Sequence, residues 1–282
     1  MTQLTTPGTR TLAGLTGTIV LCGAGKMGSA MLEGWLSLGL DPKSVVAIEP
    51  QPAREVATLA SRGLRLNPPA HTVGEAAAIV IAVKPQVAPD VVPTLAPYLG
   101  AGTVVLSIMA GRTLGFLEQA LSQRAALVRA MPNTPAAIGR GITVAVPNQR
   151  VSQRQRDLAH ALLAATGAVE WVGDEALMDA VTAVSGSGPA YVFLLAEALA
   201  RAGVAAGLPE ELAGRLARDT VAGSGELLHR SPLEASVLRQ NVTSPGGTTA
   251  AALDLLMAPD GLEALMTRAV AAATRRSREL AG

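Results

Sequence analysis

The chain has 282 residues, of which 49% are hydrophobic and 16% charged, and its formal net charge is +1 at pH 7. This length exceeds the usual size of one domain, so we expect two domains. The near-neutral charge provides no broad positive field and argues against nucleic acids and anionic membranes as partners. Cys22 is the only cysteine, which excludes an internal disulfide and argues against a four-ligand zinc site, so we predict no metal.

The first residues are polar. Residues 1–15 are rich in Thr and Gly and predict a flexible N-terminal arm. They lack the basic and apolar regions of a signal peptide, and no uncharged apolar run is long enough to cross a bilayer. We therefore expect a cytoplasmic protein.

From Thr18 onward, short apolar runs alternate with longer amphipathic stretches, a pattern typical of βαβ units around a mostly parallel sheet. The predicted strands are Thr18–Cys22, Ser44–Ile48, Ala78–Val83, Thr103–Ile108, Ala126–Ala130 and Ile142–Val146. The helices predicted between them are Met27–Leu38, Pro52–Arg62, Val91–Tyr98 and Thr113–Leu121.

Beyond about Trp171 the pattern predicts helices alone. They are Glu175–Val184, Ala190–Ala206, Glu210–His229, Leu233–Gln240, Thr249–Met257 and Gly261–Glu279. The predicted fold class is therefore α/β, with an N-terminal α/β domain over residues 16–173 and an all-helical domain over residues 174–282.

A glycine-rich turn, Gly23-Ala24-Gly25-Lys26-Met27-Gly28, joins the first strand to the first helix. This strand–turn–helix context is what the dinucleotide fingerprint of a Rossmann-type domain requires. Gly23 permits the tight turn, Gly25 lets the backbone approach the pyrophosphate, and Gly28 lets the helix pack closely on the sheet. Amide groups at the helix N-terminus then face the phosphate charge. The turn predicts a soluble nicotinamide-dependent oxidoreductase.

Glu49 follows the second strand, about 20 residues past the turn, where an acid binds the ribose hydroxyls of adenosine and repels a 2′-phosphate. This position favours NADH. Arg54 lies one turn further on and is close enough to reach a phosphate, so NADPH stays open as the cofactor. A solvated strand-end residue is the structural alternative for Glu49.

Two other clusters stand at positions suited to ligands. Lys84 ends a buried strand at the carboxyl edge, where open α/β sheets bind ligands, although a surface lysine lying along apolar neighbours is the alternative. Asn241–Thr249 combines two glycines, several hydroxyls and a helix N-terminus, which together form a neutral receptor for a small carboxylate. Helix capping alone would account for one of these hydroxyls.

Taken together, these clusters resemble pyrroline-5-carboxylate reductase, the last enzyme of proline synthesis. The resemblance runs in order from Gly23 to Leu280 and is carried by Ala82–Gln86, Arg129–Pro135, Ala183–Tyr191 and above all Val242–Thr249. It implies a Rossmann domain followed by a helical domain that dimerises through interlocking helices. It also implies that the dimers assemble into decamers in many members.

The resemblance assigns roles by position. The cofactor contacts it implies are Gly23, Ala24, Gly25, Lys26, Met27, Gly28, Val83, Lys84, Met109 and Asn241, to which Glu49 is added from its position. The substrate contacts it implies are Ser244, Gly247, Thr248, Thr249 and Glu175. Thr249 corresponds to the hydroxyl nearest the substrate nitrogen and Glu175 to an acid near the substrate ring, so these two are the catalytic candidates.

The chain departs from the family pattern at two places. Glu49-Pro50 stands where members that favour NADPH often have Ser, Asn or Arg. The segment Asn67–Thr72 aligns poorly with the usual asparagine-containing segment, so no adenosine contact is predicted there.

The expected activity is the NAD(P)H-dependent reduction of 1-pyrroline-5-carboxylate to L-proline. A first alternative is a reductase of another small cyclic imine or of a β-hydroxy acid. The β-hydroxy-acid enzymes are expected to present a lysine in the helical domain, where this chain has none. A second alternative is a dinucleotide-binding sensor without turnover.

Overall fold

The computed structural model describes residues 11–281. The chain divides into two compact units, one formed by the residues up to Gly186 together with those from Thr274 onward, the other by Ser187–Ala273. This division differs from the boundary predicted at Gly173, because the short helical segments before Gly186 belong to the first unit.

The first unit contains an eight-stranded sheet with the strand order β3-β2-β1-β4-β5-β6-β7-β8. All neighbouring strands are parallel except β6 and β7, which are antiparallel. The chain order reverses between β1 and β4, which is the switch point where open α/β sheets bind ligands. The strands are β1 (Ile19–Cys22), β2 (Val45–Ile48), β3 (Arg65–Leu66), β4 (Ala78–Ile81), β5 (Val104–Ser107), β6 (Ala126–Met131), β7 (Gly141–Pro147) and β8 (Gly167–Trp171).

Helices cover both faces of this sheet, so its central strands are entirely buried. On one face Trp35 and Leu162 join the core, and the Trp35 indole donates a hydrogen bond to the Leu162 carbonyl at 2.8 Å. On the other face Leu95 and Leu117 are fully buried. The α-helices are α1 (Lys26–Ser37), α2 (Arg54–Thr58), α3 (Ala88–Val91), α4 (Leu114–Ala120), α5 (Gln153–Ala164) and α6 (Met178–Val181).

At three of the predicted helices, the structure shows a different type of helix over part or most of the segment. The predicted helix Val91–Tyr98 is the last residue of α3 followed by a 3₁₀ helix, Val92–Tyr98, in which the interior Pro97 lacks an amide donor that an α-helix needs. The predicted helix Pro52–Arg62 is α2 followed by a 3₁₀ segment, Leu59–Arg62. The predicted helix Glu175–Val184 begins with a 3₁₀ turn and ends in a π-helical segment, Thr182–Gly186.

The predicted N-terminal arm over residues 1–15 is not free at its C-terminal end. Leu12 is 3% exposed, and its N–H donates to the Leu38 carbonyl at 2.8 Å. The apolar side chain therefore anchors this segment beside the end of α1. Residues 1–10 lie outside the described part of the chain.

The second unit is helical and contains α7 (Gly188–Ala205), α8 (Glu210–Arg230), α9 (Ala235–Asn241), α10 (Thr248–Leu256) and most of α11 (Leu262–Ala281). α7 and α8 pack closely, and a Cβ atom added at Gly203 would lie 3.2 Å from the Cβ of Ala213. No residue of α7 is buried, and Phe193 is 63% exposed. The apolar surface of α7 is therefore left uncovered.

The helical stretch Glu175–Ala205 is long and apolar enough to span a membrane by length and composition alone. It carries four charged residues, Glu175, Asp179, Glu197 and Arg201, and so does not contradict the expectation that no uncharged run has this length. One such helix is weak support for a membrane protein, because exposed apolar helices also form subunit interfaces.

Candidate active site

The glycine turn between β1 and α1 has two glycines that the fold itself requires. Gly23 has φ 92°, and an added Cβ would lie 2.7 Å from the Ala82 carbonyl oxygen. An added Cβ at Gly28 would lie 2.1 Å from the Gly23 carbonyl oxygen. Neither site has room for a side chain, so these glycines set the turn and bring α1 against the sheet.

Gly25 differs from them because nothing lies within 4 Å of a Cβ added there, and the residue is exposed. α1 begins directly after it with no side-chain cap and no acid in its first turn. The exposed Lys26 places a cation at the positive end of the helix dipole, where an anion would be favoured. This open, amide-lined turn fits the pyrophosphate of a dinucleotide.

Glu49 reaches back to the glycine turn. Its Oε2 accepts a hydrogen bond from the Ala24 N–H at 2.9 Å, and its Oε1 accepts one from the Gln51 N–H at 3.0 Å. The Ala24 N–H is thus already hydrogen-bonded to Glu49. The cofactor contact predicted at Ala24 would therefore have to involve other atoms of this residue. The carboxylate lies half-buried at the edge of the turn.

The Cys22 thiol lies directly before the turn and is buried. Burial, and secondarily the charge of Glu49, raise the pKa of this thiol to about 12. Cys22 is therefore a protonated, inert core residue at physiological pH, because the thiolate is the reactive form.

The loops that follow β4 and β5 are tied together at the carboxyl edge. Arg112 donates to the Pro85 carbonyl from Nη2 at 2.7 Å and from Nε at 3.0 Å. Its guanidinium also lies 4.8 Å from the ring centroid of Phe116. Lys84, beside Pro85, is exposed, so this clamp fixes the backbone next to a predicted cofactor contact.

The other two predicted contacts at this edge are less accessible. Val83 is half-buried, and the side chain of Met109 packs in the core with 2% exposure. If Met109 contacts the cofactor as predicted, the contact would therefore involve its backbone atoms. The sequence pattern does not reveal this contact of Arg112, because its partner is a backbone carbonyl in a loop 27 positions away.

Glu175 is paired within the first unit. Its Oε1 accepts from Arg129 Nη1 at 2.9 Å and from the Leu114 N–H at 2.8 Å. The side chains of Arg129 and Glu175 are 5% and 29% exposed. Sequence reasoning placed Glu175 at a substrate and missed this pair, which joins β6 to the start of α4.

The second unit holds the predicted carboxylate receptor. The N-cap of α10 is Gly247, and the helix has no side-chain cap and no acid in its first turn. Within the described chain, the hydroxyls of Ser244, Thr248 and Thr249 have no hydrogen-bond partner. Asn241 ends α9 and is exposed. First-turn amides of a helix lack intrahelical partners, so this loop presents open donors to an anion.

Sequence comparison decides the family. A pyrroline-5-carboxylate reductase of Pseudomonas aeruginosa is 41% identical over 266 residues, covering 93% of this chain and 96% of that protein. The chain belongs to the pyrroline-5-carboxylate reductase family. A second relative of that name, from Synechocystis sp., is 40% identical and covers 92% of this chain and 97% of its own.

Both halves of the chain match family descriptions. Residues 175–280 match pyrroline-5-carboxylate reductase dimerisation, and residues 18–111 match NADP oxidoreductase coenzyme F420-dependent. The predicted order of a Rossmann domain and a helical dimerisation domain is thereby confirmed. The helical match supports a homo-oligomer.

Solved pyrroline-5-carboxylate reductases share the fold. The protein from Coxiella burnetii is 33% identical with a TM-score of 0.87, covering 95% of this chain and 99% of its own. The Plasmodium falciparum enzyme, solved with NADP bound, is 30% identical with a TM-score of 0.79. The match covers 95% of this chain and 99% of that enzyme's chain. The chain is accordingly an oxidoreductase acting on a CH–NH group, with a nicotinamide dinucleotide as cofactor.

Among the described residues, no group of three or more His, Cys, Asp or Glu side chains is arranged to hold a metal ion.

Proposed function

We propose that this chain reduces 1-pyrroline-5-carboxylate to L-proline, the final step of proline synthesis. The observation that carries the proposal is the uncapped N-terminus of α10, where open amides and free hydroxyls stand together without a charged side chain. Such a site suits a small carboxylate, because helix N-termini favour anions. The reaction adds a hydride to the imine carbon and a proton to the ring nitrogen.

Ser244, Gly247 and Thr248 hold the substrate carboxylate in this proposal. Their backbone amides and hydroxyls satisfy the negative charge and fix one end of the ring. A protonated imine is already a strong electrophile, so positioning supplies much of the rate. The bound dihydronicotinamide supplies the hydride.

Thr249 is the proposed hydrogen-bond partner of the ring nitrogen. Its hydroxyl donates to the product amine or accepts from the protonated imine, so it can hold the proton that the nitrogen carries.

Glu175 is the proposed electrostatic partner of the iminium charge. Its Oε1 is already shared by the Arg129 guanidinium and the Leu114 amide, so Oε2 is the oxygen that remains to face the substrate. A structural role alone is the competing possibility, and the following variant separates the two.

Replacing Glu175 with Gln removes the charge and keeps an oxygen that can accept from the Leu114 amide. Because the buried Arg129 loses its counter-charge, the free energy of unfolding should fall by about 2 kcal/mol, less than for a fully buried pair since Glu175 is 29% exposed. If the charge also acts on the substrate, kcat/KM should fall about tenfold, or ~1.4 kcal/mol. Thermal melts and steady-state rates measure both.

The matched control is Asp179→Asn. Asp179 lies in α6, where its Oδ1 accepts a hydrogen bond from the Ser277 hydroxyl at 2.7 Å and its Oδ2 lies 3.8 Å from Arg278 Nε, so the substitution keeps an acceptor and removes a charge. The Asp179→Asn substitution should lower the free energy of unfolding without changing kcat/KM. A Glu175→Gln protein that is less stable but equally active would assign Glu175 to structure alone.

NADH is the proposed preferred cofactor. The carboxylate of Glu49 stands at the edge of the glycine turn, where it would accept from ribose hydroxyls and repel a 2′-phosphate. Arg54 is exposed in the first turn of α2 and supports the alternative, NADPH. The Plasmodium falciparum relative, solved with NADP bound, also supports NADPH as the alternative.

Initial rates with racemic pyrroline-5-carboxylate and either NADH or NADPH test the reaction and the cofactor together. The expected result is turnover with both and a higher kcat/KM with NADH. Turnover only with another cyclic imine or a β-hydroxy acid would redirect the assignment to those substrates. Dinucleotide binding without any turnover would favour a sensor.

We also propose a cytoplasmic homodimer that assembles further into decamers, with no membrane partner. The uncovered apolar surface of α7, including Phe193 at 63% and Leu194 at 57% exposure, supports burial against a second copy. The dimerisation description of residues 175–280 covers the same helix. Light scattering gives the number of subunits.

A further inference from the structure

Asn67 has an unusual backbone conformation for a residue with a side chain. Among the described residues it is the only non-glycine with positive φ, at 48°. It directly follows the short strand β3 and precedes two prolines. Asparagine tolerates this region better than most residues. In this protein, hydrogen bonds of the Asn67 side chain and backbone stabilise the conformation as well.

All the hydrogen bonds of Asn67 go to the end of β2. Its Oδ1 accepts from the Glu49 N–H at 2.8 Å, and its Nδ2 donates to the Glu49 carbonyl at 2.9 Å. Its own N–H donates to the Ala47 carbonyl at 2.8 Å. The amide side chain thus brackets the backbone of one residue, Glu49, from both sides.

The side chain of Glu49 is held at its other end by the glycine turn. Its two oxygens accept from the Ala24 and Gln51 amides, as described above. A carboxylate has about four acceptor sites, so each oxygen keeps a second one. Glu49 is therefore fixed at backbone and carboxylate together, with acceptor capacity left for a pair of vicinal hydroxyls.

We propose that Asn67 is a positioning residue for dinucleotide selection, acting through Glu49. By holding the Glu49 backbone it presets the carboxylate for the ribose diol of the adenosine half, so that less ordering is required when the ligand binds. A dinucleotide with a free 2′-hydroxyl gains from this arrangement, and one with a 2′-phosphate does not. The inference rests on the NADH preference proposed above and deepens it.

Asn67→Gly is the sharpest variant, since glycine adopts the same φ without strain while the side chain and its amide group are removed. NADH and NADPH affinities are measured by calorimetric titration of the purified protein without substrate, together with its melting temperature. We expect the Kd for NADH to rise about tenfold and the Kd for NADPH to change less than about twofold. Equal changes for both, or none, would overturn the role.

Thr72→Ala is the matched control in the same loop, because the Thr72 hydroxyl bonds only to the nearby Pro69 carbonyl. It should leave both affinities unchanged. An equal loss of NADH affinity in this variant would show that the conformation of the whole loop matters, and not the hydrogen bonds between Asn67 and Glu49. That result would overturn the proposal.

A double-mutant cycle tests whether Asn67 acts through Glu49. In a Glu49→Ala background, Asn67→Gly should no longer alter the Kd for NADH, whereas additive effects would contradict the proposal. Glu49→Gln serves if the alanine variant does not fold.

These readings do not depend on turnover, so failure to reduce pyrroline-5-carboxylate would affect the proposed function alone. Equal wild-type affinities for NADH and NADPH would overturn the NADH preference. Coupling of Asn67 to Glu49 would still assign the positioning role, and its absence would remove it.

Discussion

Replacing Thr249 with Ala is expected to lower kcat about 100-fold, within the range that positioned proton donors and acceptors contribute. The hydroxyl has no partner in the described chain, so its loss should cost little stability. The Kd for NADH should change less than about twofold, because the proposed partner of Thr249 is the substrate nitrogen. Stopped-flow or steady-state rates, with a separate cofactor titration, measure the two quantities.

Two control variants sharpen this result. Thr249→Ser keeps the hydroxyl and should retain most of the activity. Thr243→Ala removes a nearby hydroxyl that already donates to the Arg239 carbonyl at 2.7 Å, and should leave kcat unchanged. Wild-type turnover in Thr249→Ala would remove Thr249 from the mechanism.

The second large effect is expected at Gly25. Replacing it with Ala adds a methyl group into space that is empty in the protein, at φ −69°, where alanine is unstrained. The melting temperature should therefore be retained, while the Kd for both dinucleotides rises at least about tenfold, or 1.4 kcal/mol, because the methyl group occupies the approach to the pyrophosphate.

Gly28→Ala is the matched comparison, since the same methyl group would lie 2.1 Å from the Gly23 carbonyl oxygen. It should destabilise the fold by about 3 kcal/mol or more, as overpacking against rigid backbone does. Unchanged dinucleotide affinity in a folded Gly25→Ala protein would contradict the assignment of the turn.

Sequence predicts best those parts of the fold that have a local signal, such as an apolar run or a fixed glycine spacing. β1, β4 and β5 are apolar runs buried on both faces, and the glycine turn lies where its spacing predicts. β3 has only two residues, too few for a periodic signal. α5 was missed although Ser152 and Gln155 form a capping box at its start, a local signal that could have located it.

The sequence indicates candidate site residues one at a time and does not predict which of them pair. Glu49 and Ala24 are 25 positions apart, and Arg129 and Glu175 are 46 apart, so no local pattern connects them. Which donor a carboxylate meets depends on how strands and loops come together in space. Glu49 and Glu175 thus remain predicted site residues, and the structure adds that the carboxylates of both already accept hydrogen bonds from protein groups.

If a second copy covers the apolar face of α7, as proposed above, the stability of this half of the chain depends on protein concentration. Helices that bury their apolar residues only against another copy lose that burial on dilution, so association and folding share one free energy. Melting temperature then becomes a function of subunit concentration rather than a constant of the polypeptide. A substitution at Phe193 or Leu194 would act through the dimerisation equilibrium, and its apparent severity would depend on how much enzyme the cell makes.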